Sequence, residues 1–111
     1  MKIHYDVKTT QVFEKQTKKL FKKYKSLKED LADLILSLEE NPKQGIPLSN
    51  HCFKIRLSIK SKAKGKSGGA RIITHFLLKN EIIFLLTIYD KSEKDTVSDK
   101  ELIEILNTIE M

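Results

Sequence analysis

The chain has 111 residues, 40% of them apolar, which is enough for one hydrophobic core and too few for two domains. Its charge of +6 comes from 21 basic and 15 acidic residues, and no run of about 18 apolar residues exists to cross a membrane. Cys52 is the only cysteine and the three histidines (His4, His51, His75) are scattered, which excludes an internal disulfide and any recognisable zinc spacing. The expectation is a single domain over residues 1–111, without a secretory leader or a metal site, in a reducing cytoplasm.

Residues 2–7 alternate apolar and polar side chains and predict a short strand. From Thr10 the period becomes helical. Phe13, Thr17, Leu20, Phe21 and Tyr24 form one apolar stripe, and Lys15, Lys18, Lys19, Lys22 and Lys23 occupy the other side. A lysine face of this kind is usually just solvated, though here it could extend a polyanion footprint. The chain breaks at Lys25-Ser26, and Ser26 with Glu29 reads as a capping box. Leu27, Leu31, Leu34, Ile35 and Leu38 then continue as a second helix, which Asn41-Pro42 ends. Two helices with a short joint predict an antiparallel α-hairpin.

From Asn41 to Asn80 there is no acidic residue, yet the stretch carries nine basic ones; the remainder of the chain holds 12 basic against 15 acidic. The positive charge is therefore concentrated, as a polyanion-binding surface requires. The window opens with a loop, Lys43 to His51. Phe53, Ile55, Leu57 and Ile59 then alternate with Lys54, Arg56, Ser58 and Lys60, a strand with one apolar and one cationic face. A glycine- and lysine-rich loop follows, from Ser61 to Gly69. Ala70–Leu78 and Ile82–Tyr89 read as further strands around a turn at Lys79–Glu81, apolar on both faces as in a sheet centre. Ser98-Asp99-Lys100-Glu101 is another capping box, and Leu102, Ile105, Leu106 and Ile109 make the last helix amphipathic. The predicted order is β-α-α-β-β-β-α, an α+β domain with an antiparallel sheet.

Lys54 and Arg56 share a strand face, and antiparallel pairing can bring Arg71 beside them. Arginine supplies a planar fork of donors and lysine a compact charge, a set suited to a phosphodiester. Lys60, Lys62, Lys64 and Lys66 in the loop either add an RNA-docking tip or are simply solvated. Gly65-Lys66-Ser67 hints at a nucleotide-binding P-loop, but that motif needs glycine at position 60, which is Lys, and a helix after the loop. His75 either lines the groove or is a partly buried structural histidine. Tyr89 either stacks on a base or caps the core. Cys52 reads as a small buried filler and His51 as surface.

Three segments together carry a resemblance: Phe53-Lys54-Ile55-Arg56-Leu57, Gly65 through Ile73, and Ile88-Tyr89-Asp90-Lys91 before a short helix. The chain resembles RelE-superfamily toxins of bacterial type II toxin–antitoxin systems, in particular the HigB-like branch. The resemblance implies a small RelE-like (microbial-RNase-like) fold that enters the ribosome and cuts mRNA. It also implies a cognate antitoxin, of the HigA-like helix-turn-helix type. It places Lys54, Arg56 and Arg71 at catalytic positions. Lys60, Lys62, Lys64, Lys66, Tyr89 and Lys91 are the RNA-binding candidates. The superfamily's later arginine and C-terminal tyrosine fall near Ser92 and Ser98.

The implied chemistry is attack of a ribose 2′-OH on its adjacent phosphate. It needs no cofactor, and the sequence has no carboxylate cluster for a metal. ParE-like relatives, which share the fold but poison DNA gyrase without nuclease chemistry, are the competing class. A plain RNA-binding module is the third.

Overall fold

The computed structural model describes residues 4–61, 69–94 and 96–109. The predicted elements are present, with the first strand displaced from the expected residues 2–7, of which 2 and 3 lie outside the described residues: β1 (Asp6–Thr9), α1 (Gln11–Lys23), α2 (Leu27–Glu40), β3 (Cys52–Leu57), β4 (Ala70–Leu77), β5 (Ile82–Asp90) and α3 (Asp99–Leu106). One further strand, β2 (Ile46–Pro47), falls inside the expected loop. It is two residues long, too short to show a period.

Thr10 starts α1 by doing two jobs. Its Oγ1 accepts the Phe13 N–H at 3.0 Å and donates to the Leu86 carbonyl at 2.8 Å. The second bond lies where β1 stops and β5 runs on alone. Gln16 continues the seal, its Oε1 accepting the Ile88 N–H and the Thr87 hydroxyl, each at 2.9 Å. Backbone groups on an open strand edge need such partners.

The box expected at Ser26 does not form. Ser26 is already helical (φ −83°) and makes no side-chain cap. Its hydroxyl donates instead to Asp30 Oδ2 at 2.8 Å, and the same carboxylate oxygen accepts the Lys60 N–H at 3.1 Å. Asp30 is buried, and a buried carboxylate requires donors more urgently than a helix end exposed to water does. The box at Ser98 forms as read, with Ser98 and Glu101 satisfying each other's backbone.

The sheet order is β1-β5-β4-β3-β2. The expected all-antiparallel sheet is corrected here: β1 pairs with β5 in parallel, Asp6 opposite Ile82 through Thr9 opposite Leu85, so the sheet is mixed. The reason is steric. The α-hairpin carries the chain across one sheet face, and the last central strand offers its free edge to β1. β4 and β5 form the buried centre, with a bulge where the register skips Leu86 between Ile73 and Thr74.

The α-hairpin packs on one sheet face. Phe13, Leu27, Leu31, Leu34 and Leu38 meet Ile55, Leu57, Ile72, Phe76, Leu85 and Ile88. The other face carries a smaller cluster, Cys52, Ile73, Leu86 and Tyr89, covered by Leu102, Ile105 and Leu106 of α3. That second face also carries the basic strand residues.

Candidate nucleic-acid interface

The β3–β4 register places Arg56 opposite Arg71 and Lys54 opposite Ile73. The β4–β5 register places Arg71 opposite Tyr89. Directly opposed residues of an antiparallel pair share a face, so Arg56, Arg71 and Tyr89 form one row across three strands, with Lys54 two residues along. Gly45 (φ +97°) fixes the flank of this row. A Cβ there would lie 2.4 Å from the Lys54 carbonyl oxygen, so only glycine lets the preceding loop pass so close.

The members of the row differ in exposure. Arg56 is exposed and Lys54 half-buried. Among the described residues neither has a carboxylate within ion-pair distance. Arg71 departs from the expectation of an open cation: it is only 3% exposed. It sits on the central strand between Arg56 and Tyr89, beside the cluster that α3 covers. Its Nη1 donates to the Ala70 carbonyl at 3.2 Å. A guanidinium held in this way is fixed in place, and its charge is screened less than a surface charge.

Tyr89 takes the core-capping alternative. It is buried in the α3 cluster, and the Lys94 ammonium lies 5.7 Å from its ring centroid. Lys94 also bonds Glu101 on α3, which holds that carboxylate below its ordinary range. Lys94 therefore links Tyr89 to the first turn of α3.

His75 and Cys52 are opposite one another and buried, with Sγ 3.5 Å from Nδ1. Burial lowers the His75 pKa, against a weaker opposing hydrogen bond with the Asn50 backbone, and pushes the Cys52 thiol up to about 11. A thiol so raised is not a nucleophile at neutral pH. His51 is exposed, in a turn where it and Asn50 both have φ of 58°.

Lys60 is exposed, but its ammonium lies 3.9 Å from Asp33 of α2, a pairing the acid-free window concealed. Lys62, Lys64 and Lys66 lie outside the described residues. Lys91 is half-buried, and its N–H donates to the Gly69 carbonyl at 3.1 Å, at the foot of the loop. The structure thus brings Lys54, Arg56, Arg71 and Tyr89 into one neighbourhood. Lys60 stands apart on the side of α2.

Ser92 and Ser98 are both occupied in shaping the backbone. Ser92 donates from its N–H and its hydroxyl to Asp90 Oδ1, at 3.0 and 2.8 Å. Ser98 caps α3. Asp90 is the residue that sequence reasoning passed over. It is 1% exposed, and its Oδ2 accepts the Tyr24 hydroxyl at 2.6 Å and lies 3.5 Å from the Lys23 ammonium. It ties the end of α1 to the end of β5. Asp at a strand end with Ser two residues on was the available signal, because the pair forms a local side-chain turn.

A cavity of about 510 Å³ lies between the start of α1, Phe84 and Ile109, and one of about 310 Å³ between Lys19, Lys23, Ile88 and Asp90. Neither borders Lys54 or Arg56. Of the row, Arg56 is open to solvent and Lys54 partly so, while Arg71 and Tyr89 lie beneath the surface. Among the described residues, no cluster of His, Cys, Asp or Glu has a metal-binding arrangement, and no helix is long and apolar enough to cross a membrane.

No family model matches the sequence. Two solved structures are similar over nearly the whole chain. One is a mutant of the E. coli toxin RelE, with two arginines replaced by alanine, in the free state. It has TM-score 0.60 and 16% identity, covering 95% of this chain and 93% of that one. The other is the isolated E. coli RelE toxin, with the same score and identity, covering 95% and 99%. The likeness shows that the chain has the RelE fold.

Proposed function

We propose that this protein is the toxin of a type II toxin–antitoxin pair and cuts mRNA on the ribosome. The RelE fold supports this reading. The observation that carries it is the register: Arg56 lies directly opposite Arg71 with Lys54 beside them, on a face where Lys54 and Arg56 have no carboxylate partner among the described residues.

In the reaction, a ribose 2′-oxygen attacks the adjacent phosphorus while the bond to the 5′-oxygen breaks; the departing 5′-oxygen takes a proton from solvent water, leaving a 2′,3′-cyclic phosphate and a 5′-hydroxyl. Lys54 acts as base for, or orients, the 2′-OH. Arg56 and Arg71 stabilise the charge that grows on the phosphoryl oxygens. Arg71 is pre-positioned and needs no reorganisation at that moment. Neither arginine can exchange protons at neutral pH. Positioning of the mRNA by the ribosome therefore carries a large share of the rate.

The partner in this reading is a small helix-turn-helix antitoxin of the HigA-like type, whose acidic side chains would cover the cationic row. The test is cleavage of mRNA on purified ribosomes. Wild type cleaves, and Lys54→Ala or Arg56→Ala each cut the rate by about 10²–10³. Arg71 is buried, so Arg71→Lys, with its melting curve recorded alongside, is the suitable variant there. Undiminished cleavage by the Lys54 and Arg56 variants removes the site. Absence of cleavage by wild type removes the function, and gyrase-dependent DNA breaks with intact mRNA would move the protein to the ParE-like class.

A further inference from the structure

The described residues carry a second positive surface besides the cationic row. α1 carries five lysines and one glutamate in 13 residues. Lys23 is engaged by Asp90 and Glu93. The other four, Lys15, Lys18, Lys19 and Lys22, are all exposed, and none has a carboxylate within ion-pair distance among the described residues. Their spacing of i, i+3, i+4 and i+7 puts them in one stripe along about 10 Å of helix.

Such a stripe carries a cost. Like charges four apart on a helix destabilise it by a few tenths of a kcal/mol per pair. The chain supplies acids generously elsewhere: α2 bears Glu29, Asp30, Asp33, Glu39 and Glu40. None of these reaches the α1 stripe, and the only acid on α1 is Glu14. A plain solubility coat mixes both signs.

Its position matters as much as its charge. The apolar side of α1 packs, through Phe13, on the sheet face that also carries Ile55 and Ile72. Lys54, Arg56 and Arg71 project from the other face. The lysines, on the outer side of α1, therefore point away from the row. A single extended strand lying in the row cannot also follow the stripe.

We propose that the α1 stripe is a second RNA-docking surface that takes the phosphate backbone of a double-helical RNA, while the sheet row takes a single strand. The stripe is straight, rigid and lysine-only. That suits point-charge contact with a regular array of phosphates and offers no aromatic platform for splayed bases. The proposal extends the RNA reading of the sheet face, and it gives the molecule two RNA contacts on opposite sides: one to hold structured RNA, one to engage the message.

The test is fluorescence anisotropy with two probes, a blunt 16-base-pair RNA duplex and a short single-stranded RNA, over a salt series. Replacing Lys15, Lys18, Lys19 and Lys22 together by Gln should weaken duplex binding at least tenfold. It should reduce the slope of log affinity against log salt by about 3 to 4, and leave single-strand binding within twofold. The same four positions as Arg should bind duplex like wild type, which separates lost charge from lost fold. Replacing Lys8, Lys43, Lys79 and Lys100 by Gln removes equal charge elsewhere and should have a much smaller effect. Unchanged duplex affinity in the α1 variant, or an equal loss in the control variant, overturns the proposal. The Lys54→Ala/Arg56→Ala double variant should lose single-strand binding and keep duplex binding. If it loses neither while the α1 variant behaves as expected, the sheet-face reading fails and the α1 surface stands.

Discussion

The two faces of the sheet are built from the same strands and do opposite work. The face under the α-hairpin is closed by two helices of 13 and 14 residues and is lined almost wholly by aliphatic and aromatic side chains. The face under α3 is closed by only eight residues, and its strands mix Ile73 and Leu86 with Arg71, His75, Lys54 and Arg56. One face supplies stability. The other gives up part of its apolar area to hold cations at fixed positions, and a short helix leaves some of them open to solvent.

The largest expected effect tests that division directly. Leu27 is fully buried under the α-hairpin. Leu27→Ala should cost about 2–5 kcal/mol in urea unfolding, whereas Arg56→Ala should stay within about 0.5 kcal/mol of wild type. A comparable loss from both would mean that stability is not segregated by face.

A smaller effect distinguishes the faces by pH. His75 belongs to the α3 face, and burial holds its folded-state pKa below the unfolded value. The unfolded chain therefore binds the proton more readily. Stability is full above about pH 6.5, the unfolded value, and declines as the pH falls through the depressed folded value. Urea melts between pH 7.5 and 5 should show wild type losing more stability than His75→Gln. Parallel pH profiles would free His75 of that role.

The smallest effect concerns the turn at the edge of the same face. His51 holds φ at 58° without being glycine. His51→Gly should raise stability by up to about 1 kcal/mol, because it relieves a left-handed conformation. A thermal midpoint lower than that of wild type would show that the imidazole makes a contact worth more than the relief.

Much of this architecture was legible in the sequence, for reasons that differ by element. The apolar stripes of α1 and α2 and the two-residue alternation of β3 are periodic signals, and periodicity survives folding. Ser98 with Glu101 was legible because both partners of that cap are local. Ser26 failed because its competitor, Asp30, is made demanding by burial, and burial is a tertiary fact. The parallel β1–β5 pairing was illegible because alternation says that a segment is a strand and not which strand it joins. The pairing of Arg71 with Arg56 could be anticipated from antiparallel geometry. Its burial could not, since an arginine in a period-two row looks the same whether water or a helix covers it. Lys60 looked unpaired because its carboxylate, Asp33, is 27 positions away.

The parallel pairing also sets a timetable. β1 has no neighbour in the sheet until β5 exists, and its first contact, Asp6 with Ile82, spans most of the chain. Thr10 and Gln16 likewise wait for Leu86 and Ile88. During synthesis the α-hairpin can form early, but it has no sheet centre to pack on until β4 and β5 have emerged. Contacts this distant in sequence form late. The β1 edge of the sheet therefore closes only after β5 has emerged, whereas the β3–β4 pair that carries Lys54, Arg56 and Arg71 joins segments much closer in sequence.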